Sequence, residues 1–328
     1  MDSKISLEPF QISQTVDFTK GIHVPIEALP KQYIDGRILV NKDRRCVLEY
    51  GKKENKGGYA HITKVRRTPP VGADLCVKSP INTSYSLTAE AVLQIYASNT
   101  LRLAGIHGAI PHVYDIFQYA GETRFTMEFI HGMSAIEAVA RAADPDSLWL
   151  KILAQVSLLL GYLEEWIHLD HRDLKADNLW IRNRPVDYFL TVGGVKWLVQ
   201  APFQVVILDY GFACLGNGEG NAIVSLSDGI LPVVDPCPKE GRDLFQLVTS
   251  MWSIPAIRER AGKEVRAAME ELLTNRGASY GDLVKKGLKT HWIYLAVSDS
   301  KFRHPPLHPM ALLLKLSSEW KHVGLQRL

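Results

Sequence analysis

The chain has 328 residues, 46 % of them hydrophobic and 22 % charged, which is ordinary for a globular protein able to bury a large core. A formal net charge of +3 is too small to argue for nucleic acid as the main partner. The N-terminus MDSKISLEPF has no basic region leading into an apolar run, so no signal peptide is expected. The longest apolar stretches stop short of membrane-spanning length, so the chain is expected to be soluble, cytoplasmic or nuclear, with no membrane partner.

In chain order, residues 1–30 mix polar and apolar positions without periodicity and read as an extension. Residues 31–130 read as a sheet with one helix. RCVLEY, AHITKVR, DLCVK, HVYDIF and RFTMEFI are β-branched or aromatic-rich runs bounded by turn residues. LTAEAVLQIYASNTLRLAG has apolar residues at helical spacing and ends in a glycine stop. Residues 131–328 are expected to be mainly helical, with SAIEAVARAA and the long core helix DSLWLKILAQVSLLLGYLEEWIHL. Within them, 183–203 reads as an inserted hairpin, because DYFLTV and VKWLVQ flank Gly193-Gly194 and both turn positions call for positive φ. The end of the chain, from Asp243 onward, reads as helical with proline breaks. Four scattered cysteines, Cys46, Cys76, Cys214 and Cys237, show no CxxC pair and read as reduced thiols.

Chemistry concentrates in His171-Arg172-Asp173-Leu174-Lys175-Ala176-Asp177-Asn178, between a long apolar helix and a strand. This segment resembles the catalytic loop HRDLKxxN of eukaryotic protein kinases. The resemblance implies an α+β, bilobal protein-kinase fold: a small β-rich first lobe with one main helix, and a larger, mostly helical second lobe. It implies an ATP-dependent enzyme that moves the γ-phosphate to a protein hydroxyl, with ATP and Mg²⁺ as cofactors and a protein of unknown identity as substrate. Asp173 then orients the hydroxyl and accepts its proton, Lys175 neutralises charge on the moving phosphoryl group, and Asn178 is a magnesium ligand. Lysine at 175, where tyrosine kinases usually have alanine, points to serine or threonine.

Outward from the loop the resemblance continues. Val205-Val206-Ile207-Leu208-Asp209-Tyr210-Gly211 is similar to the strand and DFG motif, with tyrosine replacing phenylalanine and Asp209 as the second magnesium ligand. Leu75-Cys76-Val77-Lys78 is similar to the VAIK strand, and Glu90 is the candidate partner that aims Lys78 at the phosphates. Asn55 to Ile62 resembles an eroded glycine-rich loop, with Gly57 and Gly58 near the phosphates and Ile62 over the adenine, beside Cys76. By the same resemblance Met127 is the gatekeeper, Glu128 C=O and Ile130 N–H pair with adenine, and Trp180 is the adenine floor. The indole either stacks on the base, fills its pocket, or is ordinary core.

Two departures stand out. Gln94 occupies an internal position that is usually apolar. No Ala-Pro-Glu motif precedes Gly241-Arg242-Asp243, where Asp243 is expected to hold the catalytic-loop backbone. Arg172 could pair with a phosphate on Ser225 or Ser227, although serines in a loop are usually turn residues and phosphoregulation is not expected. Alternative readings are a pseudokinase that acts as a binding module and a kinase-fold enzyme acting on a small molecule.

Overall fold

The computed structural model describes residues 3–35, 38–41, 47–56, 60–67, 74–81, 87–227, 236–239, 241–273 and 307–328. It is a mixed α+β structure with several small sheets and one of seven strands. The chain divides into two compact units, Met1–Asn99 with Ile110–Ile130, and Thr100–Ala109 with His131–Leu328.

In the first unit, β1 (Lys4–Ser6) and β2 (Thr15–Asp17) pair antiparallel. The expected extension is therefore folded: Leu7, Ile12, Val16 and Phe18 are buried, and the Phe18 ring lies 4.4 Å from that of Tyr96. Three-residue strands carry no usable periodicity, and burial against the rest of the unit holds them. The main sheet contains β3 (Gln32–Asp35), β4 (Ile38–Asn41), β5 (Val47–Lys56), β6 (Ala60–Arg67), β7 (Asp74–Pro80), β8 (Val113–Tyr119) and β9 (Glu122–Glu128), in the order 3-4-5-6-7-9-8. Val65, Leu75, Val77 and Phe117 form its apolar cluster. Helix α1 (Thr88–Leu103) begins in this unit and ends in the second. Gly105, with φ 84°, donates its N–H to Arg102 O at 3.0 Å and stops it.

In the second unit, Ser134 and Asp144 cap α2 (Ala135–Arg141) and α3 (Pro145–Ile167), accepting from Glu137 N–H and Ser147 N–H. Pro145 at the first helical position fits the same rule. Helix α3 is the single helix among the described residues long and apolar enough to cross a membrane, and 78 % of its apolar window is buried inside the protein. It ends earlier than periodicity predicts, because His168 turns left-handed at φ 52°.

Short sheets follow α3. Strand β10 (Gly132–Ser134) pairs with β12 (Leu179–Arg182), and β12 with β15 (Gln204–Ile207). Strand β11 (Leu169–Asp170) pairs with β16 (Cys214–Gly216), and β16 with β17 (Ala222–Ser225). Strands β13 (Val186–Val192) and β14 (Val195–Ala201) form a hairpin across Gly193 and Gly194, whose φ values of 60° and 71° are those a two-residue turn of this hand requires. The C-terminal part holds α4 (Arg242–Trp252), α5 (Pro255–Arg258), α6 (Lys263–Leu272) and α7 (Pro309–Glu319). It does not end in a helix: β18 (Leu325–Arg327) pairs with β14. Three residues pairing across a long separation leave no local pattern to read.

The cysteines also differ from expectation. Cys214 and Cys237 are joined in a disulfide with Cα atoms 6.3 Å apart, rather than standing as separate thiols. They lie 23 residues apart with no motif spacing, so only the fold brings them together. Gly216 allows the approach, since a Cβ there would sit 1.9 Å from Cys237 O. Cys76 is a buried thiol. Closing a loop of this length stabilises the folded state by about 3 kcal/mol. Cys214→Ser with Cys237→Ser should therefore lower the unfolding free energy of the oxidised protein, measured in urea, by that amount. Coincident unfolding curves would show that the sulfurs are not bonded.

Candidate functional site

Candidate residues fall in both units. In the first, β7 carries Lys78 on a strand whose residues Leu75 to Pro80 are all buried. Lys78 Nζ forms an ion pair with Glu90 Oε1 from the first turn of α1, with side chains 8 % and 2 % exposed. A buried ammonium is tolerable only when paired in this way. Cys76 lies opposite Met127 and Ile62 opposite Lys78 in register, so four of the expected nucleotide residues sit on adjoining strands. Gly57 and Gly58 lie outside the described residues.

Gln94 spends its amide on the Pro111 carbonyl at 2.8 Å and contacts Met127 Sδ at 3.8 Å. Its polarity is thus answered within the core. Glu128 N–H donates to His112 O at 2.8 Å. Nothing among the described residues accepts from Ile130 N–H.

In the second unit, Asn178 and Asp209 follow from the β12–β15 pairing. Leu179 lies opposite Ile207, and Leu208 N–H donates to Asn178 O at 2.9 Å. This puts the residue before β12 beside the residues after β15. Trp180 is half-buried.

The segment from His171 to Asn178 is tightly bonded. Lys175 Nζ donates to both Asp173 oxygens at 2.9 Å. Asn178 Nδ2 donates to Asp173 O at 2.8 Å and to Asp173 Oδ2 at 3.2 Å, which leaves Asn178 Oδ1 as the acceptor end of the amide. Asp209 is exposed with φ 66°. Asparagine and carboxylate oxygens are the hard donors that magnesium prefers, so the donor set fits that ion.

Burial pushes the Asp173 carboxyl above its usual range. Lys175 holds it down, and the charge of Asp209 pushes it up again. Burial keeps His171 neutral by lowering its pKa. Its Nδ1 then accepts from Asp173 N–H at 3.3 Å, and its Nε2 lies 2.9 Å from Leu208 O.

Helix α4 holds the loop from beneath. Asp243 accepts from His171 N–H at 2.6 Å and Arg172 N–H at 2.8 Å. Gln246 Nε2 donates to Arg172 O at 3.3 Å, and Ser250 Oγ accepts from Ala176 N–H at 3.0 Å. Sequence reasoning found Asp243 and missed Gln246 and Ser250. The available signal was their spacing, three and seven residues beyond Asp243, which places all three on one face of a helix. The Arg172 guanidinium donates to Ser225 Oγ at 3.0 Å and Ser227 Oγ at 2.7 Å.

Glu90→Ala leaves the Lys78 charge buried without its counter-ion and should destabilise by about 3–5 kcal/mol, with Lys78→Met plus Glu90→Leu recovering most of the loss in urea unfolding. Equal losses in single and double variants would show that the pair is not the source. No family model and no curated protein matches the chain, so the reading of this site rests on its own geometry.

Proposed function

We propose that the chain is an ATP-dependent protein kinase of bilobal fold that phosphorylates serine or threonine hydroxyls. The observation that carries this reading is the bonding around Asp173. A buried carboxylate with a raised pKa is held by Lys175 and Asn178, with Asp209 close enough for its charge to be felt.

In this reading Asp173 orients the acceptor hydroxyl. As the hydroxyl oxygen bonds to the γ-phosphorus, the bond to the β,γ-bridging oxygen breaks, the hydroxyl proton passes to Asp173, and ADP leaves. A raised pKa makes Asp173 a better proton acceptor near neutrality than an ordinary carboxylate. Lys175 offers its charge to the transferring group. Magnesium, held by Asn178 Oδ1 and Asp209, would neutralise phosphate charge. Lys78, aimed by Glu90, would contact the phosphates, and Ile130 N–H would donate to the adenine.

The test is transfer of labelled phosphate from Mg·ATP to a panel including myelin basic protein and casein. Asp173→Asn should lower the rate about 10²–10⁴-fold while leaving the unfolding curve unchanged. ATP binding with equal silence of wild type and variant would favour a binding module. Labelling of sugars or aminoglycosides but never protein would favour a small-molecule kinase, the reading that the missing Ala-Pro-Glu motif supports.

The pH dependence has a definite sign. The rate should fall as pH drops through the raised Asp173 pKa. Because Lys175 lowers that pKa, Lys175→Met should move the acid limb of the kcat profile to higher pH. An unmoved limb would show that Asp173 does not govern it.

A further inference from the structure

Asp170 closes β11, one residue before the catalytic loop, and is fully buried. Its Oδ2 accepts from Lys239 N–H at 3.1 Å and lies 3.3 Å from Arg242 Nη1. Its Oδ1 is also buried, and no donor reaches it among the described residues. The Asp243 carboxyl is a further neighbour whose electrostatics are tied to those of Asp170, and its Oδ2 is bonded to the N–H of His171, the residue next to Asp170.

Two carboxylates cannot hydrogen-bond without a proton between them. Asp243 already uses both oxygens as acceptors, for His171 N–H and Arg172 N–H. A proton on Asp243 would weaken that grip, whereas a proton on Asp170 would turn Asp170 into a donor and leave Asp243 an acceptor. We propose that Asp170 is a positioning residue whose proton, shared with Asp243, keeps the Asp243 carboxylate seated on the catalytic-loop backbone. This rests on the phosphotransfer reading above and deepens it.

The electrostatics agree. Burial raises the Asp170 pKa to about 7, Arg242 and Arg172 oppose the rise, and Asp243 adds to it. Neutral His171 also faces Asp170. Cys214, its register partner on β16, is held in the disulfide and does not titrate. Since the folded pKa lies above the ordinary value of 3.8, the pair stabilises the fold fully below about pH 4 and loses that contribution as pH rises through about 7. Above that point a second negative charge faces Asp243 and pushes it from the two amides.

The experiment compares wild type, Asp170→Asn and Asp170→Ala. One readout is kcat with Mg·ATP and myelin basic protein from about pH 5.5 to about pH 9, and the other is hydrogen exchange at the His171 and Arg172 amides. Asparagine keeps a donor for Asp243 and an acceptor for Lys239 N–H but cannot ionise. Wild type should lose kcat and amide protection about tenfold per pH unit above its base-limb pKa. Asp170→Asn should match wild type at low pH and lack the limb, and Asp170→Ala should be impaired throughout. An Asp170→Asn profile superimposed on that of wild type, or wild-type amide protection unchanged across neutrality, would overturn the proposal. Silent phosphotransfer beside pH-dependent protection that Asp170→Asn abolishes would count against the kinase reading and leave the positioning role standing.

Discussion

A single buried carboxylate, Asp243, fixes the start of the segment from His171 to Asn178 by accepting from two of its backbone amides. A loop of eight residues cannot satisfy its own backbone groups, and burying them unpaired is costly. Helix α4 supplies the missing partners from one face: a carboxylate for two amides, an amide for a carbonyl and a hydroxyl for a third amide. With the backbone fixed, the side chains of Asp173, Lys175 and Asn178 can bond to each other, and the left-handed Arg172, with φ 62°, becomes tolerable. Everything chemical in the second unit is downstream of that support.

The rest of the framework converges on the same segment. Strand β11 delivers its start, and the β12–β15 pairing delivers Asn178 and Asp209. Strand β16, just after Asp209-Tyr210-Gly211, is bonded on one side to β11 and through the disulfide to the approach to α4. The ring of Tyr210 lies 4.9 Å from that of His171, filling the space above the loop. Such redundancy suits a site that must hold its groups still, because preorganised donors lose nothing to rearrangement when they are used.

Legibility followed the range of the interactions. His171 to Asn178 could be read because the chemistry lies within eight consecutive residues, and Gly193-Gly194 because a two-residue turn is a local geometric demand. The pairing of Lys78 with Glu90 could be read because Glu90 is the only glutamate between Lys78 and Gly121. Gln246 and Ser250 could not, since a polar residue in a buried helix does not name its partner. The Cys214–Cys237 bond, β3, β4 and β18, and the folding of residues 3–29 were hidden for the same reason: each depends on contacts that exist only after the chain has folded. Asp170 carries no motif of its own, and its burial beside the loop shows only in the folded chain.

The order β13-β14-β18 has a consequence for its middle strand. Strand β14 has a partner on each flank only because the final residues lie along it, and Leu328 N–H still donates to Lys196 O at 2.9 Å. Breaking the pairing of Leu325–Arg327 with β14 would bare a row of backbone groups open to a neighbouring molecule.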